Sequence, residues 1–236
     1  ISDPIVTPDS SKPHYEEKLC RLPEVQMPNR PFNAGQIKMQ SRGDWGLPED
    51  RFVFASFNGM NKMTPRVMDL WCRILSDAPD AVFWLLCGDD PFTRGNLLAE
   101  FGRQGIDPSR IIPTGKDYLS RARLADLALD MLPYNGHSTT ADLLRAGLPV
   151  LTVRGKAYQS RVSWSLLRAC GIDELAAEDD EAYCRLASGF ANDPATLSPI
   201  RGRLEEARAN SPIFNPARMA RHIETAYERM AERARL

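Results

Sequence analysis

At 236 residues, with 43% apolar and 26% charged residues, the chain has the make-up of a soluble globular protein: one large domain, or one domain with appendages. A net charge of −1 argues against a nucleic-acid surface, and no apolar run approaches the roughly 18 residues that a bilayer span needs. Five scattered cysteines (Cys20, Cys72, Cys87, Cys170, Cys184) suggest reduced thiols in a cytoplasmic protein, and three histidines without ligand spacing argue against a metal site.

The chain opens on Ile1 rather than Met and carries no signal peptide, which reads as a piece of a longer protein. Residues 1–50 hold Pro4, Pro8, Pro13, Pro23, Pro28 and Pro31, and read as an irregular connecting segment with one short helix near Tyr15 to Leu19. Such a stretch packs over a partner domain or is functional. Phe52 to Phe57 is the first β run, followed by the turn Asn58 to Lys62. Thr64-Pro65 starts a helix as N-cap and N1, with Val67, Met68, Leu70, Trp71, Ile74 and Leu75 at helical spacing. Val82 to Leu86 and Arg110 to Pro113 are further strands, separated by a helix over Pro91 to Phe101. A short helix is predicted over Tyr118 to Leu124.

The stretch Leu124 to Thr152 contains a whole βαβ unit: an apolar run at Leu127 to Leu132, the loop Pro133 to His137, and a helix over Ser138 to Ala146. Gly147 stops that helix, and a fifth strand follows over Pro149 to Val153. Beyond it the pattern gives helices at Tyr158 to Cys170, Glu181 to Ala191, Pro194 to Asn210 and Pro216 to Arg235, with a short sixth strand at Leu175-Ala176. Strand–helix alternation predicts an α/β fold, a doubly wound parallel sheet. It divides into the segment 1–50, a Rossmann-like domain over 51–214 and a C-terminal helix over 215–236.

In such a sheet, ligands bind beyond the carboxyl ends of the strands, and two loops there carry suitable chemistry. Ser138, Thr139 and Thr140 open a helix whose first N–H groups lack intrahelical partners. With Gly136 for close approach and His137 as a donor, the place suits a diphosphate. Thr139 with Asp142 three residues later also fits a capping box that serves stability alone. Asp142 repels phosphate and suits sugar hydroxyls instead. The second loop, Asn58 to Lys62, offers an ammonium that reaches over phosphates, although most lysines near turns are simply solvated. No Walker or GxGxxG signature supports an ATPase or a nicotinamide enzyme.

SFNGMNK (56–62), LADLALDMLPYNGHSTTADLLRAGLPVLT (124–152), SRVSWSLLRACG (160–171) and SPIFN (211–215) together resemble the tetratricopeptide-linked protein O-linked N-acetylglucosamine transferases, including their SPINDLY-type relatives. The opening SDPIVTP and EKLCRLP fit the same family, so the resemblance spans nearly the whole chain. It implies the C-terminal lobe of a GT-B glycosyltransferase. The full protein would transfer N-acetylglucosamine from UDP-GlcNAc to protein Ser or Thr by inverting, metal-free displacement. It also implies roles by position. Lys62 matches the essential, catalytic lysine on the donor diphosphate, and Asn58 lies in the same binding motif. His137, Ser138 and Thr139 match the phosphate-holding residues, and Asp142 an acidic residue on the ribose. Arg121 matches an arginine near the base, and Tyr118 falls where an aromatic stacks on it.

Gly59, Ser138 and Tyr118 depart from that pattern, and the Gly59 and Tyr118 departures keep a GDP-fucose-dependent protein fucosyltransferase lobe as an alternative. A non-catalytic interaction module that kept the fold is a second one. No cofactor is implied beyond the donor. The implied partners are the nucleotide sugar, the acceptor protein, and the N-terminal catalytic lobe and tetratricopeptide repeats that the chain lacks, with no nucleic acid and no membrane.

Overall fold

The fold is taken from a computed structural model, which describes residues 1–31, 40–115 and 119–234. Six parallel strands form one sheet in the order β3-β2-β1-β4-β5-β6. They are β1 (Val53–Ser56), β2 (Val82–Leu86), β3 (Ile111–Thr114), β4 (Leu127–Leu129), β5 (Val150–Val153) and β6 (Ala176–Ala177). The intervening helices are α1 (Pro65–Asp77), α2 (Pro91–Arg103), α3 (Ser138–Ala146), α4 (Val162–Ala169), α5 (Asp180–Asn192), α6 (Ser198–Asn210) and α7 (Pro216–Ala234). α1 packs against α5, and α3 against α4 and α6.

The order places β1 beside β4, with Phe54 opposite Leu127 and Ala55 opposite Ala128. From β1 the chain winds one way, and from β4 the other. The two connections therefore part at the carboxyl ends of β1 and β4, which opens a crevice there. β1 and β4 are buried along their whole length, as strands covered by helices on both faces must be.

Local chemistry sets the helix starts. The Thr64 hydroxyl accepts from the Val67 N–H at 3.3 Å, and Pro65 occupies N1 of α1. Trp71 of α1 is fully buried and stands edge-on to Phe83 of β2, with ring centroids 4.7 Å apart.

Several boundaries differ from the sequence expectations. The run Leu127 to Leu132 is strand only to Leu129, because Asp130 turns its side chain back to accept the N–H of Met131 at 2.9 Å. The third strand is shifted by one residue. Arg110 leaves the ladder and caps three carbonyls, those of Leu75, Ala78 and Ala81, through its guanidinium. The sixth strand is Ala176–Ala177. The helix expected from Tyr158 divides into a 3-10 turn, Tyr158–Ser160, and α4. That expected from Pro194 divides into a 3-10 turn, Pro194–Leu197, and α6, where Pro199 can donate no N–H to the turn before it. Of the short helix at Tyr118 to Leu124, the described part forms one 3-10 turn, Ala122–Leu124, and Tyr118 lies outside the described residues. In the first segment the described residues form 3-10 turns at Asp9–His14 and Gly43–Trp45 rather than a helix near Tyr15 to Leu19.

That first segment belongs to the lobe's own core. Val6, Leu22, Val25 and Leu47 are buried with the sheet residues. Asp3, fully buried, accepts the N–H groups of Ile5 and Val6 at 2.9 Å, the N–H of Gln26 at 3.1 Å and the Ser165 hydroxyl of α4 at 2.7 Å. Arg42 closes the other end, donating to the carbonyls of Leu124 at 2.9 Å and Arg51 at 2.8 Å and to the Asp126 carboxylate at 2.7 Å. Replacing Arg42 with alanine strands these acceptors and should lower unfolding free energy by about 1.5 kcal/mol. Urea titration checks this, and an unchanged midpoint would show that water replaces the guanidinium at no cost.

Candidate functional site

The crevice between β1 and β4 is built by two loops. The connection after β1 ends in a 3-10 turn, Met60–Lys62, which points the Lys62 side chain toward the loop after β4. Lys62 Nζ donates to the Asn135 carbonyl at 2.8 Å and sits 4.4 Å from the centre of the Tyr134 ring. Burial lowers the pKa of this half-buried ammonium, and the Asp130 charge partly restores it.

The loop after β4 is held from below. The Asn135 side chain, fully buried, donates to the Met131 carbonyl and the Thr152 hydroxyl, both at 3.1 Å. The Gly136 N–H donates to Asp130 Oδ1 at 2.7 Å, and its carbonyl accepts the Ser163 hydroxyl at 2.9 Å. Thr140 Oγ1 and Ser163 Oγ lie 2.8 Å apart. A Cβ on Gly136 would stand 2.5 Å from Thr140 Oγ1 and 3.1 Å from Asn58 Oδ1, so no other residue fits this turn unchanged.

α3 then begins at Ser138, with His137 as N-cap. The capping box expected from Thr139 and Asp142 is not formed; no side chain caps this helix. The N–H groups of its first turn, those of Ser138, Thr139 and Thr140, have no intrahelical acceptor and present the positive end of the dipole to the crevice. Ser138 is exposed and Thr139 partly so. The His137 ring stacks on Tyr134, centroids 5.1 Å apart and 19° from parallel, and meets Tyr158 edge-on at 6.5 Å. Nε2 lies 3.4 Å from the Gln159 carbonyl, which only accepts, so this nitrogen carries the hydrogen. Burial, with the neighbouring Lys62, holds the imidazole pKa below its usual value against the Gln159 contact that raises it.

Lys62, His137, Ser138 and Thr139 therefore share one mouth, and Asn58 lies beneath it. Asn58 is buried, its amide 3.4 Å from Asp130 Oδ1. Asp142 faces the first segment instead: it accepts from Asn29 Nδ2 at 3.1 Å and pairs with Arg145 at 3.4 Å. Arg121 stands apart from this cluster, beyond the end of β3. It is buried, with its guanidinium carbon 3.6 Å from the Trp45 ring centre and 5.6 Å from that of Trp84. It donates to Thr114 Oγ1 at 2.8 Å and the Gly115 carbonyl at 3.1 Å.

Sequence reasoning placed Tyr134 and Asn135 in the loop that lines the mouth without giving them a role, and missed Asp130, which shapes the mouth from below. The signal for Asp130 was present: one carboxylate inside an otherwise apolar run, immediately after a strand. It missed Gln26 too, whose side chain donates to the Tyr158 hydroxyl at 2.7 Å. Nothing in the spacing of residues 1–50 points to that contact.

The model of glycosyl transferase family 41 matches residues 29–223. The probable UDP-N-acetylglucosamine–peptide N-acetylglucosaminyltransferase SPINDLY of Petunia hybrida is 31% identical, covering 99% of this chain and 25% of that protein. The probable enzyme of the same description named SEC, of Arabidopsis thaliana, is 32% identical, with 98% and 24% covered. The chain thus spans about a quarter of the length of these curated relatives. Among solved structures, a lysine-to-methionine mutant of the Thermobaculum terrenum O-GlcNAc transferase superposes with a TM-score of 0.85 at 30% identity, covering 97% of this chain and 44% of that one. The sucrose-phosphate synthase of Thermosynechococcus elongatus shares the fold alone, with a TM-score of 0.65 at 13% identity over 98% of this chain and 58% of its own. Among the described residues no helix is long and apolar enough to cross a membrane. Matched over most of its length by sequence and over nearly all of it by structure, the chain belongs to glycosyl transferase family 41, as the Rossmann-like C-terminal lobe of a GT-B fold.

Proposed function

We propose that this lobe binds the nucleoside diphosphate of a sugar donor, UDP-N-acetylglucosamine. In the whole protein the sugar then passes to a Ser or Thr hydroxyl of a protein acceptor with inversion. The observation that carries the reading is the placement of Lys62 Nζ, 2.8 Å from the Asn135 carbonyl, at the mouth where α3 begins. An ammonium and a set of free N–H groups converge there from two loops at the switch point of the sheet. As the bond to the sugar breaks, negative charge grows on the departing diphosphate. Donors already fixed around it stabilise that charge without reorganising.

Within this reading Lys62 is the catalytic group, and His137, Ser138 and Thr139 hold the phosphates. Asn58 supports the turn from below. Asp142 takes ribose hydroxyls, held in place by Asn29. Tyr118 and Arg121 belong to the base end, where Arg121 acts through the Gly115 carbonyl that it anchors. Residues 1–50 join this lobe to a preceding catalytic lobe, itself preceded by tetratricopeptide repeats, in a cytoplasmic protein. The names of the relatives, peptide N-acetylglucosaminyltransferases that use UDP-N-acetylglucosamine, support both donor and acceptor class.

The test compares UDP with GDP by thermal shift. A ligand that binds the folded state alone stabilises it by about 2.7 kcal/mol at a hundred times its Kd. UDP should raise the melting temperature of this chain more than GDP at equal concentration. A larger shift with GDP overturns the donor, and no shift with either overturns nucleotide binding. With labelled UDP-N-acetylglucosamine and mixed protein acceptors, this chain alone should give no transfer. Holding the acceptor against the donor from a second lobe is worth about 7–11 kcal/mol of barrier.

A further inference from the structure

We propose that Tyr134 is the positioning residue of Lys62: the face of its ring seats the ammonium and aims it at the diphosphate. The inference rests on the nucleotide-sugar reading above and adds a residue to which that reading gives no role. Lys62 Nζ lies over the Tyr134 ring, 4.4 Å from its centre. That is inside the roughly 6 Å at which a cation feels the negative face of an aromatic ring. The same nitrogen donates to the Asn135 carbonyl at 2.8 Å. The two contacts come from consecutive residues, so one loop holds the ammonium from two directions. A second oxygen acceptor would compete with phosphate for the hydrogens of the ammonium. A ring face attracts its charge with no lone pair, and leaves the hydrogens not given to Asn135 for a ligand.

The seat is fixed because the loop is. The Asn135 side chain donates to the Met131 carbonyl and the Thr152 hydroxyl, and its backbone N–H donates to the Gln159 carbonyl, each at 3.1 Å. Tyr134 itself is 46% exposed, so burial in the core does not hold its ring. The His137 imidazole does, stacked on it at 5.1 Å and 19° from parallel. A lysine side chain free in solvent samples many rotamers, and ordering it at the moment of binding weakens the complex. A lysine already seated gives its charge to the diphosphate without that loss. Uridine, which has no phosphate, gains nothing from the seat.

The experiment uses the full chain and has two readouts. For the first, lysine is isotope-labelled at Cε, and the Lys62 methylene signal is assigned by its loss in Lys62→Arg. In the ligand-free wild type the ring current should move this signal upfield of the other lysines, and Tyr134→Leu should return it to their range. For the second, UDP and uridine are titrated calorimetrically into Tyr134→Phe, Tyr134→Leu and a series of fluorinated phenylalanines at the same position. Added fluorines drain the ring face while nearly keeping its shape. Tyr134→Phe should bind UDP within about twofold of the wild type, since the ring is kept. Tyr134→Leu should bind it about fivefold more weakly, the loss of one partly exposed cation–ring contact. The fluorinated series should fall stepwise toward that value, with uridine constant throughout. In a Lys62→Met background the series should be flat, because the coupling is between these two side chains.

A methylene signal that is not displaced overturns the seat. A flat series with Lys62 present, a slope that persists beside Lys62→Met, or equal losses for UDP and uridine overturn the role of the ring face. A loss already complete in Tyr134→Phe places the effect in the hydroxyl and overturns it as well. A wild type whose signal is displaced but which binds no UDP overturns the donor reading, and the role of the seat in binding with it.

Discussion

Gly136→Ala should lower the stability of the lobe by about 2–3 kcal/mol and its melting temperature by about 4–10 °C. The new methyl group would stand 2.5 Å from Thr140 Oγ1, 3.2 Å from the Thr140 nitrogen and 3.1 Å from Asn58 Oδ1. None of these neighbours yields freely. Thr140 Oγ1 is held by Ser163 at 2.8 Å, its nitrogen belongs to the first turn of α3, and Asn58 is buried under the loop. Relief comes by pushing the loop outward, which lengthens the Gly136–Asp130 hydrogen bond and tilts the start of α3. The same displacement moves His137 and the Asn135 carbonyl that holds Lys62, so UDP affinity should fall with stability. Differential scanning calorimetry and nucleotide titration of one preparation test both. A variant that melts with the wild type would show that the loop has slack absent from this packing.

Lys62→Ala should weaken UDP by about ten- to a hundredfold while uridine affinity stays within about twofold. Only the diphosphate needs the ammonium, so the discrimination between the two ligands reports where the lysine acts. The mutation also leaves the Asn135 carbonyl without its Nζ donor, a cost of about 1 kcal/mol to stability that is common to both ligands. Isothermal titration of the two ligands decides the matter. Equal losses for UDP and uridine would place Lys62 at the base, or make its contribution one of folding.

Most of the sheet was legible because parallel strands buried on both faces are written as uninterrupted apolar runs, as at Val82 to Leu86. The convergence of Lys62 with residues 134–139 was legible for a topological reason: both follow carboxyl ends of strands, and the sheet order makes those strands neighbours. What stayed hidden depends on partners remote in sequence. Asp130 ends β4 early because Gly136 and Thr152 satisfy it, and a run of apolar letters does not show this. Asp142 looked like the far half of a capping box, yet its partner is Asn29, 113 residues away in sequence. The resemblance gives Arg121 as an arginine near the base, and in the structure its guanidinium lies over the Trp45 ring, a contact that no local spacing shows. The first segment looked structureless because Val6, Leu22, Val25 and Leu47 are too sparse to show a period, and only the core that they enter orders them.

That first segment also fixes how the lobe is to be handled as a physical unit. A chain trimmed to begin at the first strand would uncover the groove that Val6, Leu22 and Val25 fill, and would leave Ser165 without Asp3. It would also release Asp142 from Asn29, and Tyr158, which meets His137 edge-on, from Gln26. Truncation at the edge of the sheet therefore changes the surroundings of His137 as well as the core.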